Sequence, residues 1–235
     1  MESGEWRVCY SRCYKSDAPK RHHAIKFVNF PIGTNKKSTN FPVAVAATFG
    51  KQPIPMNIRL AGLLLQEFDH ELTSTRRMLE RFPDEHADWK PHEKSFTLGR
   101  LASHVAELPR FIDWILNNEE LDIMAVKDAR PTFSSRTELL EFFEAQHKTG
   151  YEALENASNE SLMQNWTFKA GERVVYSGSR YQAIRNWMAN HQIHHRGQLS
   201  VYLRLLDVPI PGMYGPSADD ILARQAQATA ATEAN

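Results

Sequence analysis

Cysteine is nearly absent: Cys9 and Cys13 are the only two in 235 residues. That excludes a disulfide framework and a zinc ribbon, and the expected setting is a reducing cytoplasm. No stretch of 18 apolar residues occurs, so no transmembrane helix is expected. The apolar run near Phe41 to Phe49 is short and badly placed for a signal peptide. There is no glycine-rich phosphate loop, no arguable Ser-His-Asp set and no internal repeat. From residue 56 onward there is no cysteine nucleophile either. What remains is a globular composition, 42% hydrophobic, 24% charged and 10% aromatic, enough for a real core.

The net charge of zero hides a split. Residues 1–55 carry nine basic and three acidic groups, so the remaining 180 residues stand at −6. The first 55 residues lack helical or strand periodicity and hold five of the twelve prolines. They read as a basic, irregular extension. A nucleic-acid-binding arm and an organelle transit peptide are two readings of it. The third, which we adopt as the expectation, is that translation begins at Met56 and the extension is a mis-extended gene start. Cys9-x-x-x-Cys13 with His22 and His23 nearby matches no tetrahedral metal pattern.

After Met56 the pattern becomes helical. Leu60, Leu64, Phe68, Leu72, Leu79 and Phe82 share one face, with Asn57 as a candidate N-cap and Pro83 as the stop. A second helix is expected from Ser95 or Thr97, with Leu98, Leu101, Val105, Leu108, Ile112 and Ile115 in steps of three and four. Pro109 should kink it. A polar stretch follows from Asn117 to Pro131. Ser134 or Ser135 should cap a third helix whose apolar face is Leu139, Leu140, Phe143, Tyr151 and Leu154. Between Trp166 and Tyr176 alternation around Ala170-Gly171-Glu172 predicts a short hairpin or extended loop. A fourth helix should run from about Arg180 to Leu206. The expectation is an all-α four-helix bundle over residues 56–220, followed by a frayed tail over 221–235.

The chemistry concentrates in histidines. The inward seam of the fourth helix reads Ile184, Met188, His191, His195, Gln198, Tyr202, Leu205. His191 and His195 thus stand where a bundle would place leucine, and burying two unpartnered imidazoles costs several kcal/mol. A shared metal compensates, since i, i+4 places both rings on one face. His194 falls on the flank, and the alternative for the pair is two hydrogen-bonded core histidines. A third ligand should come from a facing helix, and His104, between Leu101 and Leu108, is the candidate. Three imidazoles leave open coordination positions, as catalytic rather than structural sites do. Zinc fits this nitrogen set best, with nickel, manganese or iron as alternatives. Glu107, one turn after His104, reads as an acceptor behind that ligand, a general base, or a surface ion-pair partner of Arg100 or Arg110. Arg196 and Gln198 could contact substrate, although Arg196 has the pattern of a solvated face. His70, His86, His92 and His147 read as surface or cap residues.

Two runs carry a family likeness. Leu-Gly-Arg-Leu-Ala-Ser-His-Val-Ala-Glu-Leu-Pro at 98–109, preceded by Trp89-Lys90-Pro91, resembles the second-helix signature of the DinB family. Asn-His-Gln-Ile-His-His-Arg-Gly-Gln-Leu-Ser-Val-Tyr-Leu-Arg at 190–204, followed by Pro-Gly-Met-Tyr-Gly-Pro-Ser-Ala-Asp at 211–219, resembles its fourth-helix signature. The resemblance implies an up-down-down-up bundle in which His104, His191 and His195 hold a divalent metal, and often a homodimer. Relatives include S-transferases that use bacillithiol, mycothiol or glutathione, and a thiol-dependent isomerase. Others are described only as metal-dependent hydrolases. The expected function is therefore a metal-dependent thiol S-transferase or hydrolase acting on a small electrophile. A low-molecular-weight thiol is the implied cosubstrate, and no nucleic-acid or membrane partner is expected. The alternative is a non-catalytic, metal-holding stress or scaffold protein.

Overall fold

A computed structural model describes residues 58–126 and 130–233. The expectations for the extension 1–55 and the Asn57 cap lie outside the described residues. Helix α1, Leu60–Leu79, buries Leu64, Phe68 and Leu72 as its periodicity predicts. Its first amide is capped from far away: Leu60 N donates to Asn159 Oδ1 at 2.8 Å, and Asn159 Nδ2 returns a bond to the Ile58 carbonyl at 2.8 Å. Such caps satisfy an orphan donor of the first turn. The helix closes at Leu79, one turn before Pro83.

Thr97 caps α2, Leu98–Glu107, its hydroxyl accepting from Arg100 N at 3.2 Å. At Pro109 the helix gives way to a 3-10 turn, Leu108–Arg110, then resumes as α3, Phe111–Asn117. The missing amide and the ring clash of proline account for that break. Helix α4, Arg136–Glu155, starts at Ser135, but the serine side chain makes no cap; Asp84 Oδ1 accepts from Arg136 N at 2.8 Å instead. Leu139, Phe143 and Leu154 are buried, whereas Leu140 and Tyr151 are half-buried.

A short α5, Asn159–Met163, carries a Ser158–Ser161 capping box. The expected hairpin is present as β2, Asn165–Ala170, and β3, Arg173–Ser179, antiparallel around Gly171, whose φ of +61° a glycine adopts freely. A third strand, β1, Glu120–Asp122, pairs in parallel with β2, Leu121 opposite Phe168. It falls in the stretch the sequence reads as polar loop. The Asp122 carboxylate accepts from Gly171 N at 2.9 Å and so ties β1 to the hairpin turn.

The fourth helix is composite. A short α6, Arg180–Ala183, capped by the Ser179 hydroxyl, runs into a π-helical segment, Ile184–Asn190, and then into α7, His191–Leu205. Arg180 is buried at its start and donates to Gln164 Oε1 at 2.7 Å and to the Asn118 carbonyl at 3.3 Å. That puts a cation at the C-terminal end of α3, where the helix dipole favours it. Helix α1 packs on α4 and α7, and α2 packs on the same two, which makes the all-α bundle. Residues Ala218–Glu233 form a further helix, α8, exposed from Ile221 to Thr232. No helix among the described residues is long and apolar enough to cross a membrane.

Candidate metal centre

Three imidazoles meet between α2 and α7. His104 is placed by α2, whose Leu98, Leu101 and Val105 are buried at 0–1% exposure and fix the helix in the core. His191 opens α7 and His195 follows one turn later. The Nε2 atoms of His104 and His191 lie 3.4 Å apart, and those of His191 and His195 2.8 Å apart. All three ligand atoms fall within 4.8 Å of one another. His104 and His195 are buried, and His191 is half-buried.

Every ring is held by its other nitrogen. His104 Nδ1 is 2.5 Å from Glu107 Oε1, His191 Nδ1 is 3.3 Å from the Trp187 carbonyl, and His195 Nδ1 is 2.7 Å from Gln198 Oε1. All three partners are acceptors, so each Nδ1 carries the proton and each Nε2 turns a lone pair toward the same point. Three facing lone pairs repel one another, whereas a cation between them would be attracted to all three. Nitrogens at about 2.0–2.1 Å around a tetrahedral zinc stand roughly 3.3 Å apart, close to the His104–His191 spacing. The donor set therefore fits a divalent metal.

The electrostatics also favour the neutral, ligating form. Burial, with the His104 imidazole beside it, pushes His191 down to about 4 from its ordinary 6.5. Burial, with His104 and then His191 beside it, pushes His195 down to about 2. Near neutral pH neither ring holds an extra proton for a metal to displace. Burial pushes the Glu107 carboxyl up, but the hydrogen bond from His104 and the Arg100 guanidinium outweigh it, leaving Glu107 below the ordinary carboxylate range.

A pH dependence follows for the metal-free protein. Both depressed rings have folded pKa values below 6.5, so between about 6.5 and 4 the unfolded chain takes up protons that the folded chain does not. Stability is present in full above pH 6.5 and is lost as pH falls toward 4. The His191 shift corresponds to about 3 kcal/mol. Melting of chelator-treated protein should hold steady from pH 8 to 7 and fall between 6.5 and 5, a window above most carboxylate titrations. A melting temperature unchanged down to pH 5 would contradict the burial of these rings as neutral bases.

Other expected residues fall differently. Glu107 sits behind His104 and also accepts from Arg100 Nη2 at 3.2 Å. His194 is exposed on the flank. His70 and His92 are exposed and His86 is half-buried. His147 is half-buried, its ring 5.5 Å from that of Phe68. The seam expected on α7 needs correction. Gln198 and Leu205 are exposed, and the deep face is Gln192, Arg196, Leu199 and Leu203. Arg196, with the pattern of a solvated residue, is only 2% exposed, because Glu71 on α1 receives its guanidinium at 2.6 Å. The Arg100 partner named for Glu107 from sequence is present, whereas the Trp187 carbonyl was missed, since a backbone carbonyl leaves no side-chain signal. An open cavity of about 410 Å³ is lined by Asp113, Asn117, Thr149, Glu152 and Asn156 among others. None of the three histidines borders it.

The chain resembles known proteins in sequence and in fold. The chain is 26% identical over 159 residues to the uncharacterized protein YrdA of Bacillus subtilis, a match covering 66% of this chain and 89% of YrdA. A DinB-like protein from Bacillus cereus superposes with a TM-score of 0.53 at 24% identity, covering 66% of this chain and 98% of that structure. A DinB-like protein from Bacillus subtilis, YjoA, gives 0.52 at 19% identity, covering 64% and 97%. These structural likenesses establish the fold. The family model described as DinB family matches residues 56–227, most of the chain and both histidine-bearing helices. The chain belongs to the DinB family.

Proposed function

We propose that the protein is a divalent-metal-dependent enzyme, with His104, His191 and His195 as ligands, acting on a small electrophile as a thiol S-transferase or a hydrolase. The observation that supports this reading is the convergence of three Nε2 atoms whose Nδ1 partners are all acceptors. A bound divalent ion, zinc first and nickel, manganese or iron as alternatives, would bring the pKa of a water or thiol toward neutrality and supply a nucleophile.

The chain's own residues do the remaining work. Glu107 holds the proton of His104 Nδ1 and fixes that ring's tautomer. A carboxylate held below its ordinary range is a poor proton acceptor near pH 7, so Glu107 serves orientation rather than general base catalysis. Gln198 and the Trp187 carbonyl do the same for His195 and His191. Residues 56–235 contain no cysteine, so in the transferase version the thiol comes from a small cosubstrate. Their charge of −6 opposes phosphate backbones, consistent with a small-molecule partner and no nucleic acid. A cytoplasmic homodimer completes the proposal.

Conjugation of glutathione, bacillithiol and mycothiol to electrophilic probes, run beside an ester panel, tests it. Turnover is expected with the wild-type protein and should drop to background in His191→Ala. Equal turnover in His191→Ala would sink the metal mechanism. A metal that raises the melting temperature, with no turnover across the whole panel, would replace the enzyme by a metal-holding scaffold.

A further inference from the structure

We infer that Glu71 and Arg196 are positioning residues for the histidine centre, forming with Thr75 and Gln192 a buried polar lock, closed on its solvent side by the exposed Tyr214, that sets the rotation of α7 about its axis. The inference rests on the metal-centre reading above, and three observations carry it.

The first is the π-helical segment. An α-helix advances about 100° per residue, so a capped start normally dictates where each later side chain points. Seven π-helical residues, Ile184–Asn190, intervene between the Ser179 cap and His191. Their wider turn breaks that dictation. The phase of α7 must be fixed downstream, and apolar contacts through Leu199 and Leu203 are non-directional.

The second is position in sequence. Gln192 directly follows His191, and Arg196 directly follows His195. Two ligands and two lock residues therefore run as neighbouring rows along α7, one facing α2 and the other facing α1. Opposite Gln192 and Arg196 stand Glu71 and Thr75, themselves one turn apart on α1.

The third is the bonding. The Arg196 guanidinium donates to Glu71 Oε2 at 2.6 Å, the Glu71 carbonyl at 2.7 Å, Tyr214 Oη at 2.9 Å and Thr75 Oγ1 at 3.2 Å. Tyr214 Oη closes the ring by donating to the Glu71 carboxylate at 2.9 Å. Gln192 Nε2 adds a bond to Thr75 Oγ1 at 3.1 Å. A planar fork bound on several sides admits one orientation, which a greasy contact does not enforce. Buried ion pairs contribute little net stability relative to apolar isosteres, and setting register is their best-attested use.

The test compares full-length wild type with Arg196→Met, Tyr214→Phe and the double variant Glu71→Leu/Arg196→Met. Cobalt(II) uptake is followed by its d–d absorption, and the ring tautomers of the metal-free proteins by long-range imidazole 15N–1H correlation. The double variant removes both charges together and should fold. It is expected to bind cobalt(II) about 10–100-fold more weakly than wild type. The His195 ring should lose its uniform Nδ1–H tautomer, and Tyr214→Phe should fall between the two proteins. A folded double variant with wild-type cobalt(II) affinity and all three rings on the Nδ1–H tautomer would overturn the lock. Failure of wild type to take up cobalt(II) would sink the metal-centre reading on its own, and the tautomers would still decide the lock.

Discussion

Glu71→Leu alone is expected to destabilise the protein by about 3–5 kcal/mol. Arg196 would keep its charge at 2% exposure with no carboxylate beside it, leaving only the residue-71 carbonyl, the Thr75 hydroxyl and Tyr214 as neutral partners. For a domain of this size each kcal/mol moves the melting temperature by roughly 2–4 °C, so a fall on the order of 10 °C should be visible. Combining Glu71→Leu with Arg196→Met should recover most of the loss, since neither charge is then stranded. Urea unfolding of the four proteins of this cycle measures the coupling. A single variant within about 1 kcal/mol of wild type would mean that the pair is solvated and the burial of Arg196 is wrong.

Gly150→Ala carries the second large effect. Helix α4 crosses the Pro109 turn so closely that a Cβ on residue 150 would lie 2.4 Å from the Pro109 carbonyl oxygen. Backbone cannot step aside as a flexible side chain would, so the cost should reach about 1–3 kcal/mol or more. Pro109 is two residues beyond Glu107, so pushing the turn also disturbs the acceptor that holds His104. Gly197→Ala is the matched control. That glycine lies within α7 with nothing within 4 Å of an added Cβ, and alanine there should stabilise by about 0.5–1 kcal/mol. Opposite signs at the two glycines are the expected result of thermal melts. A neutral Gly150→Ala would mean the crossing is looser than described.

The bundle was readable because its apolar residues repeat. Leu98, Leu101, Val105, Leu108, Ile112 and Ile115 are each buried at 0–1% exposure, as steps of three and four predict. Thr97 capped its helix because cap and capped amide lie within one turn. The caps on α1 and α4 were not readable: Asn159 and Asp84 act across 99 and 52 residues, and nothing local marks them. Strand β1 is three residues long, too short for a period of two to show. The histidine centre was legible because an imidazole pair on an apolar seam is itself anomalous. Arg196 was not, since its partner Glu71 is 125 residues away and a lone arginine on a helix is ordinarily solvated. The seam drawn through His191 and His195 continues along α7 to Gln198 and Leu205, which are exposed, because the row that packs into the core is the adjacent one, Gln192, Arg196, Leu199 and Leu203.

The central claim is that His104, His191 and His195 hold one divalent metal. Elemental mass spectrometry of the purified full-length chain, beside the triple variant His104→Ala/His191→Ala/His195→Ala, tests it most directly. The account predicts close to one metal ion per wild-type chain and none in the triple variant, with both proteins folded by circular dichroism. Wild-type protein that stays metal-free after reconstitution with zinc, nickel, manganese and iron, or a triple variant that retains its metal, would contradict it.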